Sequence, residues 1–142
     1  MYGAKPRPSP TAGEKTWQFV APSGRYSLIF EEDGQVAYPY LRDKGKIVGD
    51  VWLYNRGPAP AKPEWTDKTR LPFANPSGYA STVAVQPPAQ KSELNVIWGG
   101  GGECQLNLRD QPLARLKPGA KPGWSTSAIK DGPLAQVWKL KP

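Results

Sequence analysis

The chain has 142 residues, the size of one domain, and its six Trp, six Tyr and three Phe supply most of the buried area that 38% hydrophobic residues can offer. Nineteen Lys and Arg against twelve Asp and Glu leave a charge of +7, which favours an acidic partner, nucleic acid or an anionic surface; spread along the chain as they are, the same charges also serve solubility. There is no histidine and one cysteine, which excludes Ser-His-Asp and Cys-His catalysis, histidine or thiolate zinc centres and an internal disulfide.

Residues 1–15 hold Pro6, Pro8 and Pro10 among basic and small residues and read as a flexible Pro-rich tail preceding a single β-domain over 16–142. Trp17 and Phe19 share one face of a first strand, and Pro22-Ser23-Gly24 is a turn signal. From Arg25 to Glu31, Tyr26, Leu28 and Phe30 alternate with polar residues, a half-buried strand. Glu32-Asp33-Gly34 reads as a tight hairpin whose acidic cluster is solvated, and Val36, Tyr38 and Tyr40 then face one way on a returning strand, with Pro39 a point of lost pairing or a bulge.

Asp43-Lys44-Gly45 turns the chain into Lys46–Asn55, the one run that reads as apolar on both sides, a central strand of a meander. Gly49 and Asp50 interrupt it. An interrupted apolar strand is either a bulge, with Asp50 meeting solvent, a turn or Arg25 or Arg42, or a site in which a buried carboxylate is held for use.

Over 56–76 five prolines surround isolated aromatics, a long loop of the kind that carries function or covers a core. Arg56, Trp65, Arg70 and Phe73 on this Pro-stiffened segment are the candidate partner-binding residues, joined by Asp50 at the strand that mounts it, because Trp and Arg anchor interfaces and proline lowers the entropy lost on binding. Loop aromatics folded back as a lid on the core are the competing reading.

Alternation returns over Tyr79–Gln86, then over Leu94, Val96 and Trp98, and again over Cys104, Leu106 and Leu108, which places Cys104 as a buried, inert thiol. Gly99-Gly100-Gly101-Gly102 reads as a hairpin connection, since Glu103 follows where a phosphate loop needs Lys and Ser or Thr. Short strands over Pro112–Lys117, Trp124–Ile129 and Leu134–Leu140 close the chain, the last two joined by the hairpin signal Asp131-Gly132. Five of the six Trp fall at positions where the alternation points to the core.

About nine or ten short strands with regular turn signals and little or no helix predict an all-β antiparallel sandwich or partly open barrel. No apolar run approaches the roughly 20 residues of a membrane helix, and the N-terminus shows no apolar leader, so the expected compartment is the cytoplasm, with no membrane association. No catalytic residue, metal ligand or cofactor is expected, and the leading expectation is a non-enzymatic domain that binds an acidic protein. In size, missing leader and lack of catalytic residues the chain resembles small bacterial neutralising proteins, toxin immunity proteins among them. The alternatives are a single-stranded nucleic-acid-binding barrel, with Tyr38 and Tyr40 near Arg42 or Trp124 and Trp138 near Lys139 as platforms, and a carbohydrate-binding module or carboxylate glycosidase.

Overall fold

Two β-sheets make up the structure, a computed structural model that describes residues 15–33, 36–56, 75, 79, 80, 87 and 89–139. The first sheet is a curled half-barrel. Its centre is β2 (Tyr26–Glu32), whose one edge pairs along its length with β1 (Lys15–Val20). The other edge pairs with β4 (Tyr40–Asp43) and, at Glu32, with β3 (Val36–Ala37). β5 (Lys46–Asp50) continues outward from β4, and β6 (Tyr54–Asn55) pairs with β3.

The single returning strand expected after the hairpin is therefore two, split at Tyr38-Pro39 as the missing proline donor dictates. The central strand expected over Lys46–Asn55 is also two. Residues 51–53 leave the ladder, yet Val51, Trp52, Leu53 and Tyr54 are all fully buried, so the expectation of cover on both sides holds where the expectation of continuous pairing does not. The chain here bridges the two sheets: Leu53 N–H still donates to the Ala37 carbonyl at 3.0 Å, while Trp52 N–H donates to the Leu134 carbonyl in the second sheet region at 2.9 Å, and β6 then resumes pairing in the first sheet.

The second sheet has the order β11-β10-β9-β8-β7, from β7 (Leu94–Trp98), β8 (Cys104–Leu108), β9 (Gln111–Leu116), β10 (Trp124–Ser125) and β11 (Gln136–Val137). β7 and β8 are joined through a 3-10 turn at Gly100–Gly102, and Lys91–Glu93 forms another before β7. Arg109 and Asp110 turn β8 into β9 with φ of 50° and 64°, the left-handed pair of a tight hairpin. The Asp131-Gly132 signal does not make a hairpin. β11 runs parallel to β10, and the intervening segment serves as the crossover a parallel pair needs, folded by Gly132 N–H to the Ala135 carbonyl at 3.1 Å and Val137 N–H to Asp131 Oδ1 at 2.7 Å.

Period-two alternation sends Leu28, Phe30 and Leu41 from the first sheet and Leu106, Ala114 and Leu116 from the second into one core, which Trp52, Leu53 and Leu134 complete. Of the Trp expected there, Trp52 is fully buried; Trp17, Trp98, Trp124 and Trp138 are half-buried. Two close approaches lock the sheets together. A side chain at Gly49 would stand 3.1 Å from the Lys117 carbonyl, and one at Gly102 would enter the Tyr26 ring. Along the free edge of β5, the Val48 and Asp50 carbonyls accept from Gly119 and Gly123 at 2.8 and 2.7 Å, so this edge is covered by the loop between β9 and β10.

Among the described residues, no helix is long and apolar enough to cross a membrane. Of the predicted strand over Tyr79–Gln86, Ala80 pairs with Ala128 in an isolated antiparallel bridge, while residues 81–86 lie outside the described residues, as do most of 56–76 and the tail up to residue 14.

Candidate functional site

Asp50 ends β5, opposite Tyr40 in β4. The ladder runs Tyr40 to Asp50 and Leu41 to Gly49, then shifts so that Arg42 faces Ile47, leaving Val48 as the extra residue of a bulge. The break read at Gly49-Asp50 is thus a bulge, but Asp50 does not meet solvent as the bulge reading expected. It is 3% exposed. Arg25 and Arg42 are engaged elsewhere: Arg25 grips Asp43 with Nε and Nη2 at 2.9 and 3.0 Å, and Arg42 donates to the Gly45 carbonyl.

Among the described residues, the Asp50 carboxylate accepts no hydrogen bond. Burial raises its pKa above the ordinary carboxylate value, and the charge of Lys121 offsets part of that rise. Tyr40 across the ladder has its phenol pushed far up, first by burial and then by the charges of Glu31 and Asp50.

The second buried carboxylate is Glu32. Placed by the sequence in a solvated hairpin tip, it instead has a fully buried side chain. It continues the inward series of Leu28 and Phe30, and its two oxygens are both occupied: Arg56 Nη1 donates to Oε1 and the Tyr54 hydroxyl to Oε2. Tyr54 also accepts from the Ala89 N–H at 3.3 Å, and its phenol is raised first by burial and then by Glu32. Arg56 therefore points inward as one half of an ion pair, with 23% of its side chain exposed and, among the described residues, its Nε buried without a partner.

Asn55 lies between these groups and performs a different task. Its Oδ1 accepts from Trp52 Nε1 at 2.9 Å and from the Asn75 N–H at 3.0 Å, while its Nδ2 donates to the Asn75 carbonyl at 3.0 Å. One carboxamide thus binds the backbone of Asn75 in both directions, as a strand partner would, and all of these groups are buried. The segment between 56 and 75 consequently begins and ends at one point of the first sheet.

Of the sequence-derived site residues, Arg56 sits at the root of this segment and Asp50 lies in β5 on the same sheet; Trp65, Arg70 and Phe73 lie outside the described residues. Sequence reading missed Glu32, Tyr54, Asn55 and Asn75 as a group. A signal existed for one of them: Glu32 has the parity of Leu28 and Phe30, which put it on the apolar face, but its place beside Asp33-Gly34 drew it into the turn.

Cys104 is buried, and burial together with the charge of Glu103 pushes its thiol up to about 12, the behaviour of a packing residue. A shallow polar cleft of about 460 Å³ opens beside the β8–β9 turn, lined by Asn95, Asn107 and Asp110 and by Arg109, which holds Glu93 at 2.8 Å. Among the described residues, no group of three or more His, Cys, Asp or Glu gathers in a way that could hold a metal ion. Compared with known protein families, curated proteins and solved structures, the chain matches none.

Proposed function

We propose that the chain is a non-enzymatic binding domain that recognises, and in doing so neutralises, an acidic protein partner, with the 56–75 segment as its principal contact. The observation that carries this reading is the closure of that segment by Asn55 on Asn75, backed by the Glu32–Arg56–Tyr54 cluster beneath it. A segment of this length is costly to hold at both ends unless something fixes them, because loop closure consumes chain entropy. Here two hydrogen bonds between Asn55 and Asn75 and the Arg56–Glu32 ion pair fix the ends on the first sheet.

A loop presented from such a mount loses less entropy when a partner engages it, and its sequence supplies Trp65, Arg70 and Phe73, residue types that dominate interface energetics. The charge of +7 complements an acidic surface and would speed encounter with it. Arg56 acts in this scheme as a positioning residue. Asp50, buried and paired with Tyr40 in the ladder, ends the strand that precedes the mount.

The test is affinity capture from native lysate with the full chain, run beside a triple variant W65A/R70A/F73A whose thermal unfolding is checked first. A protein retained by the parent and lost by the variant, with unchanged unfolding, is the expected result. Equal retention by both, or no specific protein retained by the parent, would sink the proposal.

A further inference from the structure

The side of the second sheet turned away from the core carries a row in lateral register across all five strands. Ile97 of β7 faces Gln105 of β8, Gln105 faces Arg115 of β9, Arg115 faces Trp124 of β10, and Trp124 faces Gln136 of β11. Their neighbours in the alternation, Cys104, Leu106, Leu116 and Ser125, are buried, so the row stands on the outer face. With strands about 4.8 Å apart, it extends over roughly 19 Å.

Three features of this row belong together. Trp124 is half-buried, and two cations flank its ring, the Arg115 guanidinium 5.5 Å and the Lys117 ammonium 5.4 Å from the ring centre. Polar side chains are fixed in place around it: Gln105 Nε2 donates to Asn107 Oδ1 at 2.8 Å, Gln136 Nε2 to the Pro122 carbonyl at 2.9 Å, and Arg115 Nη2 to Glu103 Oε1 at 2.8 Å. Glu103 balances Arg115, but Lys117 is exposed and among the described residues forms no ion pair. Lys121, in the loop that leads into β10, is exposed as well.

We infer that this face binds single-stranded nucleic acid, with a base on the Trp124 ring and the flanking phosphates on Arg115 and Lys117. An aromatic ring with cations beside it supplies the two components such sites combine, stacking that tolerates any base and a positive track for the backbone. Amide side chains that both donate and accept suit exposed base edges. Charge complementarity decides between ligands. A neutral sugar would leave Lys117 beside the ring without counter-charge, whereas a phosphate beside a stacked base supplies it. The inference does not depend on the role of the 56–75 segment.

The experiment titrates the full chain with a fluorescent oligo(dT) of about 15 nucleotides, a length within the known range of single-strand sites, at low and at physiological salt. Affinity is expected to fall steeply with salt. W124A should weaken binding about tenfold or more, and K117A should weaken it while reducing the salt slope by about one. Lys117 is exposed, so K117A reads the site even where W124A disturbs packing. Absence of binding at low salt, equal binding by K117A with an unchanged slope, equal affinity for poly-glutamate, or Trp fluorescence that responds to neutral oligosaccharides in place of oligo(dT) would each overturn the assignment.

Discussion

Glu32 and Asp50 are both carboxylates buried in the first sheet, and the protein treats them in opposite ways. Glu32 has a donor on each oxygen, a tyrosine hydroxyl and a guanidinium, so the cost of taking its charge out of water is offset by charge-assisted hydrogen bonds. Asp50, 3% exposed, accepts none among the described residues, and its neighbours across the ladder include a phenol whose own ionisation it opposes. The first carboxylate ties strands and a loop root together. The second is tolerated where a bulge has brought the strand end under cover. What separates them is partners, since burial is nearly the same.

The largest expected effect comes from breaking the partnered one. Glu32→Gln keeps the shape and one acceptor for Tyr54, but it presents an amide donor to Arg56 and leaves that guanidinium without its counter-charge. Breaking a buried pair costs about 3–5 kcal/mol; because Arg56 is 23% exposed and reaches water, a loss of about 2–3 kcal/mol is expected in chemical denaturation. A loss below roughly 0.5 kcal/mol would show that the pair is held by the fold and does not hold it.

Asn55→Ala comes next. It strands the Trp52 indole N–H and both backbone groups of Asn75, each a buried polar group that costs about 1–3 kcal/mol when left unpaired. Water entering through the released loop root satisfies part of that debt, so about 2 kcal/mol is expected, with a distinguishing sign: new protease cleavage between residues 56 and 75. Glu32→Gln leaves the Asn55 clasp in place and should not open that segment to the same degree. Equal proteolysis of parent and N55A would mean that Asn55 does not close the segment.

The contrast also marks how far the residues alone could be read. Strand content, the turn at Asp43-Lys44-Gly45 and the inward face of β8 follow from local chemistry, because alternation and left-handed φ are decided within a few residues. The paths of 51–53 and of β11 were not legible. Both are settled by distant hydrogen bonds, Trp52 to Leu134 and Gln136 to Gly123, that no local pattern contains. Glu32 shows the same limit at one residue: its parity pointed inward, but the partner that makes an inward glutamate tolerable, Arg56, stands 24 positions away. At Asp50 the bulge was readable from Gly49, whereas its burial depends on which elements come to cover the end of β5.

Asp50→Asn is the smallest of these changes and the sharpest test of the comparison. Burial raises the Asp50 pKa in the folded state above the value of about 3.9 it has in the unfolded chain. The folded state then holds this proton more tightly than the unfolded one. Relative to the protonated form, stability is fully retained below the unfolded value and is lost as pH rises through the raised folded value, so at neutral pH the ionised group works against folding. An amide in its place cannot ionise. The variant should therefore unfold at a slightly higher temperature than the parent at pH 7, and the two should converge as pH falls below about 3.9. A Glu32 variant changes in the opposite direction at pH 7. Should D50N prove less stable at neutral pH, Asp50 would be a partnered carboxylate after all, with its cation supplied from outside the described residues, and the distinction drawn between the two acids would fail at its simpler end.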